Sequence, residues 1–254
     1  MDYPSFIHIY QIASSTVFDA KVVVEEINKI LPSCNIDIRP PFKYEEKMIE
    51  HAKISDIKQP FERQTNHKKD SKMTTTTTIS LYDGFVIQKM LAEIIPTTEI
   101  SLAHIHIIFT RLFMGTFSED DWRYHARAVI CGTPSIVSTT GIVEALAKPR
   151  EFYLAQLFGG MTEDNDMLKK KFAGRFIDYD DEDKITTASI NYALQAIFFF
   201  ITSGEPFCNN KDCRLFNAHW QEDLIHIIKK GTLCSHHRKL ANNLSKAQSR
   251  TRRF

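Results

Sequence analysis

The sequence predicts an α+β fold, in which a mixed β-sheet packs against helices and a cysteine- and histidine-rich segment follows near the C-terminus. The chain opens with a β-α-β pattern, its middle contains several strand-like segments, and it becomes mainly helical from Arg150 onward. A length of 254 residues is enough for one substantial core with appendages.

The β-α-β opening ends where Pro40 and Pro41 interrupt the pattern. Residues 5–13 and 34–39 alternate apolar and polar side chains, as half-buried strands do. Between them, residues 15–31 have the apolar spacing of a helix, with Ser15 or Thr16 as its N-cap.

The next part of the chain is more polar. Residues 44–52 predict a short charged helix, and residues 61–80 predict a flexible, Thr-rich loop. A helix over residues 83–95 follows, capped by Asp83. The middle then contains strands at 103–110, 127–131 and 134–140, with a turn or short helix at 119–124.

A long helix is predicted to begin after an acidic run and to end at Ile201. Thr186 is the expected N-cap, and the acidic residues at 178–183 favour the positive end of the helix dipole. Because residues 193–201 are almost entirely apolar, we expect this helix to be buried on nearly all sides.

Composition argues against several classes of protein. The formal net charge is +1, so nothing global favours binding to nucleic acid or to an anionic membrane. The first residues lack a basic and apolar signal sequence, and residues 193–201 are too few to cross a bilayer. Cys34 and Cys131 lie in apolar, strand-like contexts that suit reduced thiols. We therefore expect a cytoplasmic protein.

Two short loops near the C-terminus carry the residues of a metal site. Cys208 and Cys213 lie five residues apart, and Cys234 precedes His237 in a Cys-x-x-His spacing. Three sulfur donors and one imidazole suit tetrahedral Zn²⁺. The sequence therefore predicts one structural zinc ion on Cys208, Cys213, Cys234 and His237, with His236 as an alternative fourth ligand.

These elements divide the chain into an α+β core at residues 1–200, a zinc knuckle with a C-terminal helix at 201–240, and a basic tail at 241–254 that we expect to be disordered. The segment from Lys229 to the C-terminus contains no carboxylate side chain. A zinc knuckle that binds nucleic acid through this tail is thus an alternative function, although a solvated terminus is the commoner explanation of such charge.

The knuckle and the helix before it resemble the archaemetzincins, zinc metallopeptidases of archaea and some eukaryotes. That family has the motif His-Glu-x-x-His-x-x-Gly-x-x-His, followed directly by Cys-x4-Cys-x-Met and later by Cys-x-x-Cys. When the first family cysteine is placed on Cys208, the remaining positions fall on Gly204, Cys213, Leu215, Cys234 and His237. The resemblance implies a metzincin-like mixed sheet with packed helices.

The same placement puts apolar residues at the positions of the catalytic metal site. The first metal histidine falls on Ile197, the general-base glutamate on Phe198, the second histidine on Ile201 and the third on Phe207. A hydrolytic zinc needs three protein ligands, an open position and a base. The resemblance therefore implies a non-peptidase that retains the structural zinc and a groove for a peptide or protein ligand.

Three further segments resemble an uncharacterised archaeal family that is labelled as metallopeptidases. They are residues 123–127 (RYHAR), 141–145 (GIVEA) and 217–221 (NAHWQ).

Several polar residues are candidates for binding a substrate or an anion. Arg123, His125 and Arg127 alternate along one segment, and Ser138, Lys148 and Arg150 surround a Ser-Thr-Thr-Gly turn. Salt bridges to nearby glutamates explain the charges equally well.

A second alternative function is a hydrolase with a rebuilt metal site, for which His104, His106, His125 and His219 are candidate ligands. His104 and His106 are two residues apart on a predicted strand, so they face the same side of it. His219 and Glu222 are expected one turn apart on the helix that follows the knuckle.

Overall fold

The computed structural model describes residues 4–12, 18–42, 46–58, 78–158 and 165–251. In chain order, the strands are β1 Phe6–Tyr10, β2 Asn35–Arg39, β3 Lys53–Lys58, β4 Thr78–Asp83, β5 His104–Thr110, β6 Phe113–Ser118, β7 Arg123–Arg127, β8 Val129–Ile130 and β9 Ser135–Ser138. The helices are α1 Ala20–Ile30, α2 Glu46–Glu50, α3 Gly84–Ala92, α4 Thr139–Glu144, α5 Arg150–Phe158, α6 Asn165–Lys171, α7 Glu182–Ile201, α8 Gln221–Lys230 and α9 Ser235–Thr251, with a short 3₁₀ helix at Thr97–Glu99.

Two mixed sheets form the framework, which confirms the α+β prediction. The five-stranded sheet has the order β2-β1-β5-β9-β8, with β8 antiparallel to β9 and the other neighbours parallel. The four-stranded sheet has the order β3-β4-β6-β7, with only β4 and β6 parallel. The predicted β-α-β opening is confirmed by β1, α1 and β2, since β1 and β2 are parallel neighbours.

The main core lies between the five-stranded sheet and the helices α1 and α7. Ile7 and Ile9 of β1 and Ile105 and Ile107 of β5 point to this side and are fully buried. Successive strand residues point to opposite faces, so His8 of β1 lies on the other face of the same sheet. This alternation places the His8 side chain and the main core on opposite faces of the sheet.

Helix α7 is buried along most of its length, as its apolar sequence predicts. Every residue from Ala188 to Phe198 is buried, and the helix packs against α1, α4, α8 and strands of the five-stranded sheet. Its start differs from the prediction, because the helix begins at Glu182 with Asp181 in the N-cap position and Thr186 already inside it. Glu182 and Asp183 in the first turn stabilise the positive end of the dipole without a threonine cap.

Other helix starts show the same local chemistry. Asp83 caps α3 by accepting hydrogen bonds from the backbone N–H groups of Phe85 and Val86, at 2.9 and 3.1 Å, which confirms that prediction. Helix α1 begins later than expected, with Asp19 as its N-cap. Ser15 and Thr16, the predicted caps, lie outside the described residues.

Several segments differ from their predicted structure. The described part of the Thr-rich segment, residues 78–80, already belongs to β4, while residues 61–77 lie outside the described residues. Residues 241–251, for which we expected disorder, continue helix α9, because Ala241 and Leu244 are spaced to bury their side chains in the main core. Among the helices of the described ranges, none is both long and apolar enough to span a membrane.

Candidate metal centre

The chain reaches the candidate metal site through a sharp turn after α7. Gly204 has a φ of +113°, a conformation that favours glycine, and its N–H donates to the carbonyl oxygen of Phe199 at 2.8 Å. The following loop carries Cys208 and Cys213. Cys234 directly precedes α9 and His237 lies in its first turn, so the loop after α7 and the start of α9 meet at the site.

The four predicted ligands converge. One donor atom from each of Cys208, Cys213, Cys234 and His237 lies within 4.8 Å of all the others. The Sγ atoms of Cys208 and Cys234 are 3.9 Å apart, and Nδ1 of His237 is 3.6 Å from Sγ of Cys213 and 3.1 Å from Sγ of Cys234. His237 belongs to this group and is buried, whereas His236 is exposed.

These distances fit a tetrahedral zinc ion. Bond lengths of about 2.3 Å to sulfur and about 2.0–2.1 Å to nitrogen place tetrahedral ligands about 3.8 Å apart for two sulfurs and about 3.6 Å apart for sulfur and nitrogen. Two of the three measured separations match these values, and the third requires a shift of about half an ångström.

The protonation chemistry of the four residues also suits a cation. Burial raises the pKa of Cys213 to about 12, so this thiol ionises near neutral pH only when a positive charge is present. Burial opposes ionisation of Cys234 as well, but the backbone N–H of His237 and other nearby donors lower its pKa below the ordinary value. Burial lowers the pKa of His237, which keeps the imidazole neutral, as a metal ligand must be.

Polar contacts attach the two loops to the rest of the fold. Arg214 is buried and donates to Oδ1 of Asn191 on α7 at 2.8 Å, and its backbone N–H donates to the carbonyl oxygen of Thr232 at 2.9 Å. Asp212 accepts from His226 on α8 at 2.7 Å. Arg214 has no local signal in the sequence, because its partners are distant in the chain.

The four positions onto which the archaemetzincin motif was placed carry apolar side chains. Ile197 and Phe198 are fully buried in the main core, and the Phe198 ring meets the His237 ring edge-on with centroids 5.3 Å apart. Ile201 is half-buried, whereas Phe207 is 45% exposed and outside the core. None of these four side chains can coordinate a metal or accept a proton.

Residues 123–127, 141–145 and 217–221, the three segments that resemble the uncharacterised family, contact one another. A Cβ atom on Gly141 would lie 2.3 Å from the carbonyl oxygen of Arg127, so the close approach of α4 to β7 requires glycine there. The amide nitrogen of Gln221 donates to the carbonyl oxygens of Ile142 and Val143, at 2.8 and 3.0 Å. These residues therefore maintain the packing of α4 and α8.

The candidate anion-binding residues form two groups, one on β7 and one around helix α4, which packs against β7. On β7, an edge strand of the four-stranded sheet, Arg123 and His125 contact Asp121, and Arg127 donates to the Thr116 hydroxyl at 2.9 Å.

The other three candidates surround helix α4. Ser138 caps this helix by accepting from the N–H of Gly141 at 2.8 Å, while its hydroxyl donates to the carbonyl oxygen of Leu112. Lys148 is buried and forms an ion pair with Glu144 at 3.4 Å, and Arg150 begins α5. The Lys148–Glu144 pair is a salt bridge of the kind expected from the sequence, whereas Glu151 pairs with Arg175.

The candidate histidines of a rebuilt site separate into three places. His125 lies on β7, and His219 is exposed and precedes α8 rather than lying on it. His104 and His106 lie on the same face of β5, as expected, beside His8 of the neighbouring strand. Glu99 completes a second group of potential ligands with His8 and His104. Neither His8 nor Glu99 was identified from the sequence.

A small cavity lies beyond the C-terminal ends of β1 and β5, next to α3. It has a volume of about 200 Å³ and is mainly lined by apolar side chains, including Ile12, Phe42 and Ile87, with Gln11 and Arg111 at its polar edge. Crevices at the carboxyl ends of parallel strands are a frequent place for ligands in α/β sheets.

The chain is similar in structure to two solved proteins. A zinc-dependent peptidase from Methanocorpusculum labreanum is 15% identical, with a TM-score of 0.48 over 92% of this chain and 99% of that one. Archaemetzincin from Methanopyrus kandleri is 10% identical, with a TM-score of 0.47 over 96% of this chain and 97% of that one. No curated protein matches the sequence. Residues 3–244 match the family described as "Probable metallopeptidase family (DUF6775)", and the chain therefore belongs to that family.

Proposed function

We propose that this protein is a member of the metallopeptidase family that retains one structural zinc ion, and that its helix α7 carries no metal site for peptide hydrolysis. In this proposal Cys208, Cys213, Cys234 and His237 hold the zinc, which joins the loop after α7 to the start of α9. The protein would act by binding or regulating a peptide or protein ligand.

The observation that carries this proposal is the complete burial of Ile197 and Phe198. A hydrolytic zinc requires ligands, an open coordination position and a carboxylate that accepts a proton from bound water. Hydrocarbon side chains at these two positions supply none of these, and the Phe198 ring already packs against a ligand of the structural site. A histidine or a glutamate at these positions would bury a polar or charged group in the main core, at a cost in stability.

The proposed ligand class follows from the cavity at the ends of β1 and β5. Its volume of about 200 Å³ is below the range of about 300–1,000 Å³ that is usual for sites of small molecules. An apolar side chain of a bound peptide fits this space better than a whole metabolite does.

A cytoplasmic location is also part of the proposal. None of the five cysteines, all of which lie in the described residues, forms a disulfide. Zinc binding requires reduced thiolates, which are expected where glutathione and thioredoxin keep cysteines reduced.

The test is a peptide-cleavage assay on a mixed peptide library, read by mass spectrometry, with and without added Zn²⁺. We expect no metal-dependent cleavage, together with one tightly held zinc per purified chain. Cleavage that depends on added metal and disappears in His104→Ala would instead support the hydrolase with a rebuilt site. A purified chain without zinc would contradict the structural part of the proposal.

A further inference from the structure

A second cluster of potential metal ligands lies on the opposite face of the five-stranded sheet from α7. His8 comes from β1, His104 from β5, and Glu99 from the 3₁₀ helix that precedes β5. Nε2 of His8 is 2.9 Å from Nδ1 of His104 and 3.9 Å from Oε2 of Glu99. The parallel register, which pairs Phe6 with His104 and His8 with His106, brings these histidines together.

The hydrogen bond of His8 to Asp37 orients its other nitrogen toward the cluster. Nδ1 of His8 donates to Oδ1 of Asp37 at 2.7 Å, so Nε2 carries the lone pair that faces His104 and Glu99. A carboxylate that fixes the tautomer of an imidazole in this way is typical of metal-bound histidines. His8 is only 4% exposed, which makes its orientation well defined.

His106 supports the cluster without being one of its ligands. Arg39 donates to the Tyr10 hydroxyl at 3.1 Å, so that hydroxyl is free to donate its own proton to Nδ1 of His106 at 3.0 Å. Nε2 of His106 then donates to the backbone carbonyl oxygen of Glu99 at 3.3 Å. Both nitrogens are thereby engaged, and the His106 ring holds the 3₁₀ helix in place.

The geometry points to a binding site for a second divalent ion of the zinc type, with His8, His104 and Glu99 as its ligands. Two imidazoles and one carboxylate form a donor set that suits Zn²⁺ and its neighbours in the first transition row. This inference goes beyond the proposed function, because it concerns other residues and the opposite face of the sheet.

Only small movements would complete the coordination. Tetrahedral ligands at about 2.0–2.2 Å from an ion lie about 3.3 Å from one another. The separations of 2.9 and 3.9 Å measured from Nε2 of His8 therefore differ from that value by about half an ångström each. His104 is half-buried and the Glu99 side chain is 20% exposed, so a fourth position is open to water.

Arg39 makes the second site weaker than the cysteine site. It donates to both oxygens of Glu99, at 2.6 and 2.8 Å. Each carboxylate oxygen has a second lone pair that can face an ion, but the nearby guanidinium charge opposes binding of a cation. Glu99 and Asp37 offset this charge in part. We therefore expect the purified chain to hold the structural zinc and to take up the second ion on titration.

Titration of the zinc-loaded protein with Co²⁺ tests the inference. We expect one additional equivalent, with the weak visible bands of nitrogen and oxygen ligands and without the thiolate charge-transfer absorption that cobalt in the cysteine site would give. His104→Ala and Glu99→Gln should lose this equivalent, and Asp37→Asn should weaken it by about 10- to 100-fold. His125→Ala is the matched control, since it removes another strand histidine bonded to an aspartate, and should keep both ions.

The inference is overturned if the wild-type protein takes up no additional cobalt, or if His104→Ala and Glu99→Gln retain it unchanged. His104 is half-buried and Gln is nearly isosteric with Glu, so circular dichroism should show that both variants fold. A failure of the structural zinc site would be seen separately, as thiolate charge-transfer bands when cobalt fills a vacant cysteine site.

Discussion

Replacing Cys213 with serine should remove most of the stability that the C-terminal part of the fold gains from zinc. Cys213 is fully buried, and its Sγ accepts from the backbone N–H of Cys234 at 3.4 Å. A serine hydroxyl is a poor zinc ligand and is shorter than a thiol, so the variant would keep three ligands at most. Leu215 and Leu233, buried beside the two loops, would then lose their support.

The expected magnitude is large compared with the stability of a domain. Structural zinc binds to small zinc-finger peptides with about 10–16 kcal/mol, and that binding energy is folding energy. If the variant loses about half of this, the cost is at least about 5 kcal/mol, which equals the lower limit of the stability of a typical domain. We therefore expect α9 and both loops to unfold in Cys213→Ser.

Cys34→Ser provides a matched control. Cys34 is also buried, at 5% exposure, and lies in the main core rather than at the metal site. The Cys34 thiol donates to the carbonyl oxygen of Pro4 at 3.7 Å, and a hydroxyl can donate to the same oxygen. The substitution should therefore cost less than about 3 kcal/mol, and zinc should remain bound. Urea unfolding and zinc content after dialysis should be measured on both variants. Equal midpoint shifts with one zinc still bound to Cys213→Ser would refute a structural role for the ion.

Three other predictions follow from burial. Phe198→Glu should destabilise the protein by more than about 4 kcal/mol, because packing is lost and a carboxylate is buried. Phe207→Glu, at an exposed position, should change the stability by no more than about 0.5 kcal/mol. Similar thermal midpoints for the two variants would contradict this. Gly141→Ala should cost about 1–3 kcal/mol in urea unfolding, because its Cβ would meet the Arg127 carbonyl, and an unchanged midpoint would be inconsistent with that contact. Burial raises the pKa of Cys131 to about 12. Cys131 in the folded protein should therefore react with iodoacetamide at pH 8 on the order of 10³-fold more slowly than in urea, and the rate should rise about tenfold for each unit of pH. Equal rates in the folded and unfolded protein would contradict this prediction.

Local patterns were sufficient for much of the fold. The β-α-β opening, the Asp83 cap and the burial of α7 each depend on a few neighbouring residues, and each is confirmed. The pairing of β6 and β7 could not be predicted, because β7 is an edge strand with a polar sequence. Its extended conformation depends on antiparallel pairing with β6.

The two clusters differ in how far a sequence can reveal them. The cysteine site has characteristic spacings within two short loops, which predict Cys208, Cys213 and Cys234 together with either His237 or His236. His8, Glu99 and His104 have no such spacing, since they come from three elements whose proximity depends on the parallel register of β1 and β5. Arg214 was missed for the same reason, because its contacts to Asn191 and Glu26 join distant parts of the chain.

X-ray absorption at the zinc edge of the purified protein tests the central claim most directly, since it reports which atoms surround the tightly held ion. The account predicts three sulfur atoms at about 2.3 Å and one nitrogen at about 2.0–2.1 Å. A spectrum with only nitrogen and oxygen neighbours, or a purified chain that holds no zinc, would contradict it.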